Sequence, residues 1–155
     1  MEPSSSETPD EERAGTSSRS GPGNDVTAVL DASALLALLF GEPGADTVVE
    51  AVANGAAISG VNLSEVATVL TRRGLAVDEI LDPVREHVAV EDFRESDALS
   101  AAALQPSTAQ AGLSLGDRAC LALAKRLTVP ALTADHAWTE VRLDVLVQLI
   151  RPHGP

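Results

Sequence analysis

Four carboxylic acids of the chain occupy equivalent places in the predicted secondary structure. Asp31 and Asp135 each end a short apolar run that is typical of a buried strand. Glu65 and Asp117 each fall in the first turn of a predicted helix. Because the carboxyl ends of parallel strands and the helices that follow them meet at one edge of a sheet, we expect the four acids to converge.

Convergence of these acids predicts a metal site. Like charges in one cleft repel, so they need protons or a cation to neutralise them. Oxygen ligands without Cys or His select a hard ion, which predicts Mg²⁺, with Mn²⁺ as the alternative. Such an ion holds phosphate oxygens and activates a water molecule. Ser33 and Thr133 stand beside the strand-end acids and are expected to assist, as hydroxyl ligands or orienting donors.

Each acid also has a purely structural interpretation. Asp117 in a first turn would complement the helix dipole, and Glu65 would be a polar neighbour of a capping arrangement. Asp31 or Asp135 would serve only as a cap for the next helix. The context that all four acids share favours a common site over four separate roles.

The acids are positioned by an alternation of strands and helices. Strands are predicted at 26–30, 56–59, 87–90, 129–135 and 145–150, and helices after Asp31 and at 45–53, 62–73, 77–86, 96–104 and 118–127. Strands that alternate with helices form parallel sheets with both faces covered. The sequence therefore predicts an α/β fold with a mostly parallel central sheet flanked by helices.

Composition divides the 155 residues into a leader and one domain. Residues 1–24 are rich in Ser, Gly and acids and almost lack bulky apolar side chains, so a disordered leader is expected there, followed by a domain over 25–152. A single cysteine, Cys120, excludes an internal disulfide, and no apolar stretch approaches the roughly 18 residues of a membrane span. These features favour a cytoplasmic protein.

The net charge of −12 disfavours one way of binding nucleic acid. A surface that grips phosphates generally needs an excess of Lys and Arg, which this chain lacks. An enzyme that holds its substrate through metal ions on its own carboxylates stays compatible with an acidic surface. The charge therefore lowers the expectation of a binding module more than that of a metal-dependent enzyme.

The segments that carry the acids resemble those of a PIN-domain ribonuclease, specifically the VapC-type toxin of a type II toxin–antitoxin pair. The segments are Leu30-Asp31-Ala32-Ser33-Ala34-Leu35, Asn62-Leu63-Ser64-Glu65-Val66, the run from Leu113 through Gly116-Asp117-Arg118 to Ala124, and Leu132-Thr133-Ala134-Asp135-His136-Ala137-Trp138. The resemblance extends over residues 26–151. It implies a PIN-like three-layer fold.

The resemblance also implies an activity, ligands and partners. Asp31, Glu65, Asp117 and Asp135 would bind Mg²⁺, with Ser33 and Thr133 assisting. The reaction would be hydrolysis of an RNA phosphodiester by a metal-activated water. The implied partners are the RNA substrate, a cognate VapB-type antitoxin and a second copy of the chain. Beside the acids, Arg118 and His136 are candidates for RNA contact.

Two other functions stay open. A DNA nuclease or a phosphohydrolase would use the same acidic site, whereas a catalytically silent binding protein would be expected to have lost an acid. Among the remaining singular residues, Trp138 is predicted to anchor the core or a dimer interface, and Cys120 to be a packing residue.

Overall fold

The computed structural model describes residues 25–152, so the predicted disordered leader lies outside the described residues. The centre of the fold is one sheet of five short strands: β1 (Ala28–Leu30), β2 (Ala56–Ser59), β3 (Val88–Glu91), β4 (Ala131–Thr133) and β5 (Val147–Leu149). Their order in the sheet is β3-β2-β1-β4-β5, and all four pairings are parallel. The prediction of a mostly parallel sheet is confirmed.

Helices connect the strands and cover the sheet. They are α1 (Ala32–Phe40), α2 (Ala45–Asn54), α3 (Gly60–Arg72), α4 (Val77–His87), α5 (Glu95–Ala103), α6 (Gln105–Thr108) and α7 (Leu115–Leu127), with a 3₁₀ helix at His136–Glu140. Each parallel connection needs such a crossover, because a tight turn cannot return the chain to the same end of the sheet. The α/β class predicted from the alternation is therefore confirmed.

Two hydrophobic clusters show the three layers. Leu30 and its sheet partner Leu132 belong to a cluster that includes residues of helices α1 to α4. Val29 and its partner Ala131 point to the opposite face and pack with α7 and Trp138. Successive strand residues thus serve opposite layers, which is why the strands carry continuous apolar runs.

Helix α3 begins earlier than predicted. We expected its start at residue 62, with Glu65 in the first turn, but the helix begins at Gly60 and Glu65 lies in the second turn. The reason is that Ser59, the last residue of β2, also caps the helix: its hydroxyl accepts the N–H of Val61 at 3.1 Å. Glu65 therefore lies two residues further into the helix than predicted.

Helix α7 is buried on more than one side. Every residue from Ala119 to Ala124 is buried, because the helix packs against the sheet, α3 and α5 at once. Arg126, in the last turn of the helix, pairs with the buried Asp97 of α5 through nitrogen–oxygen distances of 2.9 and 3.0 Å. Two short elements, α6 and the 3₁₀ helix, were not resolved by the sequence pattern.

Within residues 25–152, no single helix is long and apolar enough to cross a membrane. Helices α1 and α2 meet the length and composition criteria only when they are taken as one segment, and that segment bends by 110°.

Candidate functional site

Asp31 stands at the point where β1 ends and α1 begins. Its side chain is only 3% exposed, and both of its hydrogen-bond donors are hydroxyls. Ser33 Oγ donates to Asp31 Oδ2 at 2.8 Å, and Thr133 Oγ1 donates to the same oxygen at 3.0 Å. Neither hydroxyl therefore occupies the second carboxylate oxygen, Oδ1.

The two hydroxyls are held in turn by backbone groups of the loop after β4. The N–H of Ala134 donates to Ser33 Oγ at 2.9 Å, and the N–H of Asp135 donates to Thr133 Oγ1 at 3.0 Å. Each hydroxyl oxygen accepts a backbone N–H, and its single proton is therefore available for the bond to Asp31. The network thus directs two donors at one oxygen of Asp31 and orients the carboxylate.

The surroundings of Asp31 disfavour its charge in the absence of a cation. Burial raises its pKa from the ordinary value of 3.8 to about 6. The hydroxyls of Ser33 and Thr133 lower the pKa, while the negative charges of Asp117 and Glu65 raise it further. A cation placed beside Asp31 would reverse this balance.

Glu65 reaches the site from α3 and lies against the backbone of α7. Its Oε1 accepts from Asn62 Nδ2 at 3.0 Å, and the same nitrogen donates to the carbonyl of Gly116 at 2.9 Å. A Cβ atom on Gly116 would overlap the Glu65 carboxylate. The pKa of Glu65 is raised, chiefly by burial and also by the charge of Asp117, whereas the bond from Asn62 lowers it.

Asp117 lies in the first turn of α7, as predicted. It forms a capping box with Ser114: its Oδ2 accepts the Ser114 N–H at 2.9 Å, and its own N–H donates to Ser114 Oγ at 3.1 Å. Burial raises the pKa of Asp117 despite this capping, and the charge of Asp135 raises it further. The structural role expected of Asp117 is thus real, and it leaves the second carboxylate oxygen outside the capping box.

Asp135 is the outermost of the four acids. It is exposed, and its Oδ1 accepts the N–H of Ala137 at 2.9 Å, which caps the 3₁₀ helix. Its charge contributes to the raised pKa of Asp117. We therefore place Asp135 at the rim of the site.

The structure brings Asp31, Glu65 and Asp117 together as a mutually repelling group. Asp117 raises the pKa of both other acids. The buried thiol of Cys120 lies close enough to respond to the same three acids. Burial is the main cause of its raised pKa, and the charges of all three acids raise it further. Cys120 and Trp138 are themselves fully buried in the cluster around Val29, so the predicted packing roles hold.

The donor set of this acidic group fits a hard divalent cation in its chemistry. Every side chain involved offers oxygen, and the cluster lacks the soft or imidazole ligands that would favour zinc or copper. Among residues 25–152, no three acidic, His or Cys side chains form a ready-made cage for an ion. Coordination of one ion by three of these carboxylates would therefore require them to draw closer.

The two predicted RNA contacts lie at the edges of the site. Arg118 follows Asp117 on α7, but one of its guanidinium nitrogens donates to the carbonyl of Ala101 in α5 at 2.9 Å. Its positive charge lowers the pKa of Asp117. His136 begins the 3₁₀ helix and is half-buried. Contact of either residue with RNA stays a prediction.

Two residues that complete the site were missed by the sequence reasoning. Asn62 precedes Glu65 by three positions, a spacing at which helical side chains meet, so this residue was within reach of a pattern argument. Gly116 carried a weaker signal: glycine is unfavourable in a helix, and its position directly before Asp117 indicates a close approach.

Comparison with known proteins identifies a family for this architecture. The model of the family described as PIN domain matches residues 28–143. No curated protein gives a significant match.

Several solved structures share the fold at low sequence identity. A toxin–antitoxin complex from Klebsiella pneumoniae is 21% identical, with a TM-score of 0.59 over 70% of this chain and 87% of that one. VapBC2 from Rickettsia felis, bound to a promoter DNA fragment, is 14% identical, with a TM-score of 0.64 over 79% and 98%. VapC20 from Mycobacterium tuberculosis, a toxin that cleaves the sarcin–ricin loop, is 20% identical, with a TM-score of 0.61 over 74% and 94%. These likenesses concern the fold.

Proposed function

The chain belongs to the PIN domain family, and from this premise we propose that it is an Mg²⁺-dependent endoribonuclease toxin of the VapC type. The observation that carries the proposal is the buried carboxylate of Asp31, which two hydroxyls orient and two further acids repel. A buried, uncompensated group of negative charges is unfavourable for folding, and a bound cation would make it favourable. The solved toxins with this fold support the same interpretation.

Distinct parts of the site would perform distinct tasks. Asp31, Glu65 and Asp117 would hold the ion, and Asp135 would complete the ligand set from the rim. When bound, the ion supplies Lewis-acid chemistry: it neutralises phosphate charge and makes water a better nucleophile. The hydroxyls of Ser33 and Thr133 fix the orientation of Asp31, which keeps the site ready for its ligand.

Substrate binding would depend on this small region. The chain carries a net charge of −12, so its surface as a whole repels RNA, and the ion together with Arg118 and His136 would provide the local attraction. Hydrolysis of RNA phosphodiesters in the cytoplasm would be controlled by a VapB-type antitoxin. A second copy of the chain is the expected partner in a homodimer.

The test compares RNA cleavage by the purified full chain under matched conditions. A defined set of cellular RNAs is incubated with Mg²⁺, with EDTA, and with the Asp31→Asn variant. The control variant is Asp46→Asn, which removes the same charge from an exposed position on α2. We expect cleavage that requires both the metal and Asp31 and that the control variant retains.

The same assay addresses the alternative functions. Folded protein that binds Mg²⁺ and leaves RNA intact, but cuts DNA or a phosphate ester, would identify a DNA nuclease or a phosphohydrolase on this site. Cleavage that persists in EDTA, or that Asp31→Asn leaves unchanged, would contradict the proposal outright.

A further inference from the structure

A fully buried amide joins helices α3 and α7 beside Glu65. Asn62 is 0% exposed, and its Nδ2 makes two hydrogen bonds, to Glu65 Oε1 at 3.0 Å and to the carbonyl of Gly116 at 2.9 Å. The Gly116 carbonyl belongs to a helix and is therefore fixed in space by the backbone ladder. The amide thus links the Glu65 carboxylate to the α7 backbone and fixes the position of one relative to the other.

The chemistry of its partners fixes the orientation of the Asn62 amide. Both Glu65 Oε1 and the Gly116 carbonyl can only accept, so the NH₂ group must face them. Oδ1 then points away, and this buried atom has no hydrogen-bond partner among the described residues. Unpaired buried polar atoms are rare in folded proteins because they are destabilising. An apolar side chain at this position would leave no orphaned acceptor, so packing alone does not explain the asparagine.

Gly116 provides the second half of the same arrangement. Its missing Cβ leaves the space in which the Glu65 carboxylate lies, and a Cβ there would overlap both carboxylate oxygens. The backbone of Gly116 is helical, so the glycine is explained by this close approach and not by an unusual φ angle. Because Gly116 directly precedes Asp117, the close approach brings Glu65 to the first turn of α7, where Asp117 lies.

We propose that Asn62 and Gly116 are positioning residues that hold the Glu65 carboxylate beside Asp117 for capture of a divalent cation. The inference rests on the proposed function, because it assigns the two residues to the same metal site. Asn62 acts through Glu65: it donates to Oε1 only, which leaves Oε2 outside this bond. Its contribution should accordingly disappear when the Glu65 carboxylate is absent.

A purely structural role makes different predictions. If the Asn62 amide serves only to tie α3 to α7, then its loss should lower stability and leave cation affinity unchanged in the protein that stays folded. The experiment must therefore measure cation binding and unfolding separately.

The test uses the full chain and Mn²⁺ as the probe, with free Mn²⁺ measured by electron paramagnetic resonance. The variants are Asn62→Leu, Gly116→Ala and Glu65→Ala, and the double variant Asn62→Leu/Glu65→Ala. The control is Ser64→Ala, an exposed neighbour of Glu65 on α3 whose hydroxyl contributes to neither bond. Thermal unfolding in EDTA is recorded for each variant.

We expect folded Asn62→Leu to bind Mn²⁺ at least about tenfold more weakly, since leucine keeps the branched shape of the side chain and removes the donor. Gly116→Ala should weaken binding similarly by displacing the carboxylate, and it serves as the second route if Asn62→Leu fails to fold. In the Glu65→Ala background, Asn62→Leu should have no further effect, which is the signature of residues that act as one unit.

Wild-type Mn²⁺ affinity in folded Asn62→Leu, or an equal loss of affinity with and without Glu65, would overturn the inference. The proposed function fails separately: a chain that binds Mn²⁺ and cuts no RNA is not the proposed ribonuclease, and the variant affinities still decide the role of Asn62. A wild-type chain that binds no Mn²⁺ would overturn both proposals.

Discussion

Replacement of Asp31 by asparagine is expected to stabilise the metal-free protein at neutral pH. Burial raises the pKa of Asp31 from 3.8 to about 6 in the folded state, whereas the unfolded chain keeps the ordinary value. Between these two pH values the folded protein binds more protons than the unfolded chain, so stability falls as the pH rises. Above pH 6 the free energy of unfolding is lower by about 3 kcal/mol, because each unit of pKa difference corresponds to about 1.4 kcal/mol.

The asparagine side chain removes the charge and keeps the acceptor. In the Asp31→Asn variant, the amide oxygen can accept from Ser33 and Thr133, as Oδ2 of the carboxylate does in the wild type. The variant should therefore recover up to about 3 kcal/mol at pH 7.5, which for a domain of this size raises the melting temperature by roughly 6–12 °C. Added Mg²⁺ should reduce the difference in melting temperature between the variant and the wild type, because a ligand that binds only the folded wild type stabilises it selectively.

The assay is thermal unfolding followed by circular dichroism, in EDTA, from pH 4 to pH 8. The difference in melting temperature between Asp31→Asn and the wild type should increase from pH 4 to pH 6 and stay constant above pH 6. The melting temperature of Asp46→Asn should follow that of the wild type. A variant that is no more stable than wild type at pH 7.5, or a gap of equal size at pH 4, would refute the assignment of a buried, metal-free carboxylate.

Two further changes test the interactions around the site. Arg126→Met should cost about 3–5 kcal/mol in urea unfolding, because it leaves the buried Asp97 without its bidentate partner. Burial would raise the pKa of Asp97, but the bonds from Arg126 lower it overall, so wild-type stability from this pair should be present at neutral pH and disappear in acid titration below the ordinary value of 3.8. Ser33→Ala should cost about 1–3 kcal/mol by leaving the Ala134 N–H without its acceptor, and it should raise the pKa of Asp31 further through loss of a donor, as carboxyl infrared titration would measure.

The class of fold could be predicted because its strands are buried on both faces. A strand such as Ala28-Val29-Leu30 supplies side chains to two layers, so its whole length is apolar, and an acid directly after it marks the edge of the sheet. The same reasoning identified the second strand of the site, although β4 ends at Thr133 and Asp135 follows in the loop. Local patterns were sufficient here because each signal lies within a few residues.

The remaining features depend on contacts that the sequence does not place side by side. Asn62 and Gly116 are 54 positions apart, and only the packing of α3 on α7 brings them into hydrogen-bond distance. Arg126 lies in the last turn of α7, where a cation would complement the helix dipole, yet its partner Asp97 lies 29 positions earlier on another helix. The observed start of α3 differs from the predicted one for a third reason. Ser59 is both the last residue of a strand and the cap of the helix, and a pattern that assigns one role to each residue predicts a helix that starts too late.

The decisive comparison between structural and functional interpretations concerns Asp31. Asp135 and Asp117 accept backbone N–H groups at helix starts, so capping accounts for part of their presence. Asp31 occupies the cap position of α1, but its side chain makes no capping bond, and its oxygen is held by two hydroxyls. An exposed cap would perform the structural task without the burial that raises the pKa of this residue. A carboxylate that is buried, oriented, repelled by two neighbours and unused as a cap supports the proposed cation site over a purely structural role.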